Sequence, residues 1–195
     1  MPPGWHRTCR RRRLPRGRGE AAAVLILERA EHAAARSHTP RALLAGCAST
    51  TDAHHPTAPH PDGRGLKQAM RAALADAALT PRNVDHVNAH GSSTVLNDAV
   101  EAQAISTVLP DGPFGTSTKG ALGHSLGATG AVDAALTVLS LQHGLIPPTA
   151  NLESLDPAFD LNLVVKVAAN EHLGVALSNS VGFGGHNVVL AFRTP

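Results

Sequence analysis

Ser117–Leu141 reads STKGALGHSLGATGAVDAALTVLSL, and its second half decides how the chain folds. From Leu126 to Leu141 every residue is apolar or small apart from Asp133 and the Thr and Ser hydroxyls. A helix with no solvent face belongs in the middle of a domain, contacted from both sides. Pro147 and Pro148 then stop it.

Outward from this segment, apolar runs and helical stripes alternate. Ala22–Leu27 is continuously apolar and reads as a buried strand, followed by a short Ala-rich helix through Arg36. Ala42–Ala48 is a second candidate strand, and Asp52–Gly65 is a loop with three Pro and three His. Leu66, Met70, Ala73, Leu74 and Ala77 form a helical stripe. Val84–Asn88 and Phe114–Ser117 read as short strands, with a helix between them whose face is Val100, Ala104 and Val108. Val175–Ser180 and Val188–Phe192, joined by a Gly-rich turn at Gly182–Gly185, read as a β-hairpin. Strands alternating with helices predict an α/β layered fold with helices on both sheet faces.

Composition narrows the function classes. At 195 residues, 16% charged and 43% hydrophobic, the chain is too apolar for a disordered protein. Aromatics are only 3%, which disfavours a base-stacking nucleic-acid platform. Two cysteines make no disulfide framework and favour a reducing, cytoplasmic setting. No charge-free apolar run reaches membrane-spanning length.

The formal charge of +2 is a sum of unlike parts. Residues 1–20 hold seven Arg and one acid, Glu20, leaving ten basic against fourteen acidic residues in the remainder. The body is mildly acidic, so residues 1–18 are expected to be a basic tail, disordered or out of frame. Pro2, Pro3 and Pro15 argue against a helix there, and no nucleic-acid or membrane partner is expected.

Three segments put polar groups at the ends of apolar elements: Asn88–Thr94, Ser117–His124 and Asn179–Gly185. Strand ends leading into glycine-containing loops are where α/β enzymes hold reactive groups. A single His in such a place is more often structural, but His90 and His124 with Lys119 form a constellation. Other readings are weaker. Gly120–Gly127 lacks the Gly-Lys-Ser/Thr of a phosphate loop, and Gly182–Gly185 lacks dinucleotide spacing. His54, His55 and His60 lack paired ligand spacing, so no metal is expected.

Residues 19–195 resemble the C-terminal part of a β-ketoacyl-acyl-carrier-protein synthase, a thiolase-like condensing enzyme of fatty-acid and polyketide synthesis. The resemblance is carried by Val87–Thr94 (VNAHGSST), Asn97–Glu101 (NDAVE), Ser117–Gly130 (STKGALGHSLGATG), Pro147–Leu152 (PPTANL) and Asn179–Asn187 (NSVGFGGHN). It is closer to stand-alone, type II synthases than to domains of large multienzymes. It implies the C-terminal half of a thiolase-like layered α/β fold, a mixed sheet with helices on both faces and a central buried helix. That helix would pack on its counterpart in a missing N-terminal half, so a large apolar face should be left open.

The resemblance also implies roles. His90 and His124 match two imidazole donors to one thioester oxygen. Lys119 matches the active-site Lys, organising the site together with Glu101. Phe183 matches the gating aromatic, its backbone N–H helping to hold the acyl oxyanion, with Gly184 in the same supporting group. Ser92 and Thr94 match hydroxyls that contact a phosphopantetheine arm. The implied partners are acyl carrier protein, an N-terminal synthase half, and a second subunit in a homodimer or heterodimer. No resident cofactor is implied, since substrates ride on phosphopantetheine.

Departures matter equally. The family nucleophile is a Cys in an upstream, ACSS-like elbow that this chain lacks. Cys47, in Gly46-Cys47-Ala48-Ser49-Thr50, falls where the family has an ordinary strand residue and is expected to be a buried structural thiol. The chain is therefore expected to be a truncated synthase, inactive alone in acyl transfer. A non-catalytic partner resembling a chain-length factor is the alternative, disfavoured by retention of His90, His124 and Lys119.

Overall fold

The computed structural model describes residues 18–152, 155, 157 and 159–195. The basic tail of residues 1–18, Arg18 apart, lies outside the described residues. In chain order the elements are α1 (Ala30–Ala35), β1 (Leu43–Thr51), α2 (Arg64–Asp76), β2 (His86–Asn88), α3 (Val95–Val108), β3 (Phe114–Thr116), α4 (Lys119–Leu122), α5 (Thr129–His143), β4 (Leu145–Ile146), β5 (Asn162–Leu163), β6 (Ala169–Asn170), β7 (Val175–Gly182) and β8 (His186–Arg193). Six strands form one mixed sheet in the order β1-β8-β7-β2-β3-β5. The β7–β8 hairpin and the β1–β8 pair are antiparallel, while β7, β2, β3 and β5 run parallel.

Alternation along the strands sends residues to two separate cores. Leu177, Val189 and Ala191 pack with α2 and α3, together with Val87 and Ala89. Their neighbours Ala176, Leu190 and Phe192 point the other way, toward Ala134 and Leu141 of α5. Helices thus cover both faces. On the first face α2 buries Leu66, Ala69, Met70, Ala73 and Leu74 along one stripe. It lies so close to β1 that a Cβ on Gly46 would meet the Ala73 carbonyl.

The second face is built differently. The buried residues of α5 are Thr129, Asp133, Ala134, Thr137, Ser140 and Leu141, so the sheet-facing stripe is largely polar. Its stem reaches the sheet through Asn88, whose Nδ2 donates to the Asp133 carbonyl (3.0 Å) and to Thr137 Oγ1 (3.2 Å). Leu139, turned away from the sheet, is 39% exposed. The helix begins later than its composition suggested: residues 126–128 are a 3-10 turn, and Gly144 in left-handed conformation ends it before the prolines are reached.

Two expectations fail. Ala22–Leu27 is not a strand: Val24 and Ile26 are each 90% exposed, and among the described residues no strand pairs with this run. An apolar run becomes a strand only where an edge is available to bond it. Cys47 is exposed rather than buried. It sits on β1, the edge strand, on the face that carries α5, and α5 lies over β7 and β8 without covering β1.

Candidate active site

Register brings the three motif segments together. Asn88 lies opposite Thr116 on one side and Ser178 on the other, so β2 and β3 end side by side while β7 runs on to Gly182. The loops that follow β2 and β3 carry His90 and Lys119, as expected for parallel strands.

The His90 loop is braced from α3. Glu101, fully buried, accepts the backbone N–H groups of His90 and Gly91, both at 2.8 Å. Asn97 and Asn179 donate to the same carboxylate at 3.3 Å. Burial raises the Glu101 carboxyl, against the lowering effect of those bonds and of the Lys119 charge. Thr94 caps α3, its hydroxyl accepting Asn97 N–H and pairing with Ser92 Oγ at 3.0 Å. Ser117 Oγ donates to the Gly91 carbonyl, which joins the β2 and β3 loops.

Lys119 is held by an aspartate of α5. Its Nζ donates to Asp133 Oδ2 at 2.7 Å in a buried ion pair, and Thr118 Oγ1 donates to Asp133 Oδ1 at 2.9 Å. Glu101 feels the lysine's charge, but its oxygens serve the His90 loop. The lysine's partner is therefore Asp133. A lone carboxylate within an apolar helix was the available signal, since burial of that charge demands a cation.

His124 enters from the loop after α4. Its Nδ1 receives the Leu126 backbone N–H at 3.2 Å and lies 3.0 Å from Thr129 Oγ1. Leu126 reaches this position with φ +52, a left-handed conformation uncommon for a residue with a side chain. The rings of His90 and His124 meet edge to face, 5.3 Å apart with an interplanar angle of 79°. Burial, then the charges of Lys119 and His124, hold His90 well below the ordinary imidazole range. Burial and Lys119 lower His124 likewise. Near pH 7 both rings are neutral, so each offers one N–H rather than a positive charge.

Phe183, at the turn between β7 and β8, is 75% exposed. Gly184 donates its N–H to the Pro56 carbonyl at 2.7 Å, which ties this turn to the His-rich loop. The same loop is fixed by Asp52, which accepts Asn187 Nδ2 and the His60 N–H.

Sequence reasoning also missed Asp98 and His86. Asp98 is buried with Oδ2 unpartnered, and burial pushes it up to about 7. His86 is buried in β2, its Nδ1 against the Phe114 carbonyl, and burial lowers it to about 4.

Residues 41–153 match the family model described as "Beta-ketoacyl synthase, C-terminal domain". The chain belongs to the β-ketoacyl synthase family. The 3-oxoacyl-[acyl-carrier-protein] synthase 2 of Synechocystis sp. is 46% identical over 178 residues, covering 90% of this chain and 43% of the relative. A solved chain of AntDE:AntF, a type II PKS acyl-carrier protein in complex with its ketosynthase bound to the hexaketide, superposes with a TM-score of 0.83. Its identity is 34%, over 86% of this chain and 42% of that one. The ishigamide ketosynthase/chain length factor gives 0.81 at 37% identity, over 85% and 41%. The chain spans about two-fifths of the length of the curated relatives it matches. Its layering is that of the thiolase-like β-ketoacyl synthases, in their C-terminal half. Among the described residues, no helix is long and apolar enough to cross a membrane.

Proposed function

We propose that this β-ketoacyl synthase chain carries the decarboxylating histidine pair of a 3-oxoacyl-[acyl-carrier-protein] synthase-type acyltransferase, a cytoplasmic component of fatty-acid or polyketide synthesis. The reading is carried by two neutral imidazoles crossed at 5.3 Å, His90 and His124, beside the buried Lys119–Asp133 pair. A malonyl thioester bound there loses CO2 as its Cα–carboxylate bond breaks. The electron pair passes into an enolate whose oxygen accepts the ring N–H groups. The enolate carbon then attacks an acyl thioester, a C–C bond forms, and the thiolate leaves. Fixed donors suit this charge because they need no reorganisation as it develops, and one such donor contributes about 3–4 kcal/mol.

The substrates would arrive on the phosphopantetheine arm of an acyl carrier protein, near Ser92 and Thr94, with no resident cofactor. Among the described residues no thiol stands beside the pair. Cys47 lines up through Leu190 and Ser178 with Asn88, three strand spacings away. That is roughly 14 Å from the end of β2. Cys9 lies outside the described residues. Acyl transfer would therefore need an N-terminal synthase half, in a homodimer or heterodimer, and these 195 residues alone would be limited to decarboxylation.

The test is CO2 release from malonyl-carrier protein by this chain, alone and fused to a matching N-terminal half. In the fused form, His90→Ala or His124→Ala should slow release by about 10²–10³. Unchanged release in both variants would overturn the reading, as would acyl labelling of Cys47 in the 195-residue chain. The absence of a cysteine beside the pair among the described residues favours a second reading, a non-catalytic partner like a chain-length factor. In that case condensation appears only when a separate, complete synthase is present.

A further inference from the structure

We propose that Thr129 is a positioning residue for His124, fixing which ring nitrogen carries the proton. The inference rests on the proposed function for its importance, but the geometry is independent of it. A neutral imidazole has one N–H and one bare nitrogen, and a donor placed against either nitrogen decides between them. The Leu126 amide can only donate, so Nδ1 is the bare nitrogen and Nε2 holds the proton. That contact is long, at 3.2 Å. Thr129 Oγ1 is nearer, at 3.0 Å, and its residue is buried at the first position of α5.

The hydroxyl has a consistent direction. Thr129 Oγ1 lies 3.1 Å from Ser125 Oγ, so it can accept that proton while giving its own to Nδ1. The order Ser125, Thr129, His124 uses each hydroxyl once as a donor. Among the described residues the hydrogen-bond partners of Nδ1 are Leu126 N–H and Thr129. Lys119, Asp133 and the His90 ring face His124 without bonding that nitrogen. Four residues along α5, Asp133 takes Lys119 and Thr118. Residues four apart share a helix face, so a single turn of α5 aims both the imidazole and the lysine.

Nitrogen NMR of the 195-residue chain, correlating His124 ring carbons with both ring nitrogens, reads the assignment directly. The wild-type chain should show a protonated Nε2 and a hydrogen-bonded, bare Nδ1. Thr129→Val should shift Nδ1 toward its unbonded position and admit a population protonated at Nδ1, and Thr129→Ser should restore the wild-type signals. Thr129→Ala, which favours the helix, serves the same purpose if the Val variant loses its amide dispersion. His124 signals unchanged in these variants, or a wild-type proton on Nδ1, would overturn the assignment. CO2 release from malonyl-carrier protein separates the two proposals. Normal NMR responses without release would remove the function and leave Thr129 in place, whereas release without the NMR response would do the reverse.

Discussion

The two faces of the main sheet are stabilised by different means. Under α2 and the last turns of α3 the contacts are apolar and closed, with Met70, Leu177 and Val189 fully buried. Under α5, Ala134 and Leu141 meet Ala176 and Phe192, but the same helix also buries Thr129, Asp133, Thr137 and Ser140. The first face is mainly an apolar core, while the second adds the Lys119–Asp133 pair and its bonded polar neighbours to its apolar contacts. Burial by itself therefore does not distinguish structural from chemical residues in this chain; the partner of each buried group does.

Breaking the buried pair tests the polar face hardest. Asp133→Leu leaves Lys119 uncompensated, and chemical denaturation should register a loss of about 3–5 kcal/mol. The double variant Lys119→Met/Asp133→Leu should recover most of it, because the penalty lies in the unpaired charge. On the apolar face Met70→Ala should cost about 2–5 kcal/mol by the same measurement. A smaller loss there than for Asp133→Leu would keep the contrast, and the reverse order would break it.

Acidity gives a subtler probe. His86 falls from 6.5 to about 4 on folding, so the unfolded chain takes up its proton first as pH drops. Stability from this residue is complete above pH 6.5 and is lost as pH falls toward 4, by ~3 kcal/mol. Asp98 rises from 3.8 to about 7, and its contribution has the opposite sign. It is complete below pH 3.8 and lost as pH rises through 7. Across pH 4 to 6.5 the two contributions oppose, so relative to the wild type the stability of His86→Phe should fall as pH rises and that of Asp98→Asn should climb. Identical pH profiles for these variants and the wild type would refute the two assignments.

The smallest effects lie at the margins. Thr94→Ala removes the α3 cap and should cost about 1 kcal/mol. Leu139→Ala, on the outward side of α5, should stay within about 0.5 kcal/mol in the isolated chain. A larger loss at Leu139 would mean that the open face is covered in solution.

Much of this was legible in the linear sequence, and the exceptions have physical causes. The long motifs around His90 and His124 were readable because small residues and polar groups recur in fixed order at strand ends. The Lys119–Asp133 pair was not, since spacing along a chain does not show which buried groups meet. Ala22–Leu27 misled because an apolar run does not reveal whether a strand exists to bond it. Cys47 misled because free cysteines are usually buried, whereas exposure here is set by where α5 stops. The engagement of Gly184 N–H by Pro56 joins two segments distant in sequence, which local reading cannot see.

The left-handed backbone at Leu126 has a counterpart at Ser93, φ +60, in the loop of the other histidine. Each loop thus keeps one side-chain-bearing residue where such residues are disfavoured, by roughly 1–2 kcal/mol. Glycine would relieve that strain, yet it would also widen the set of loop conformations in the unliganded protein. The bend aiming each imidazole is held in the main chain before any substrate arrives, and its cost falls on folding rather than on each turnover.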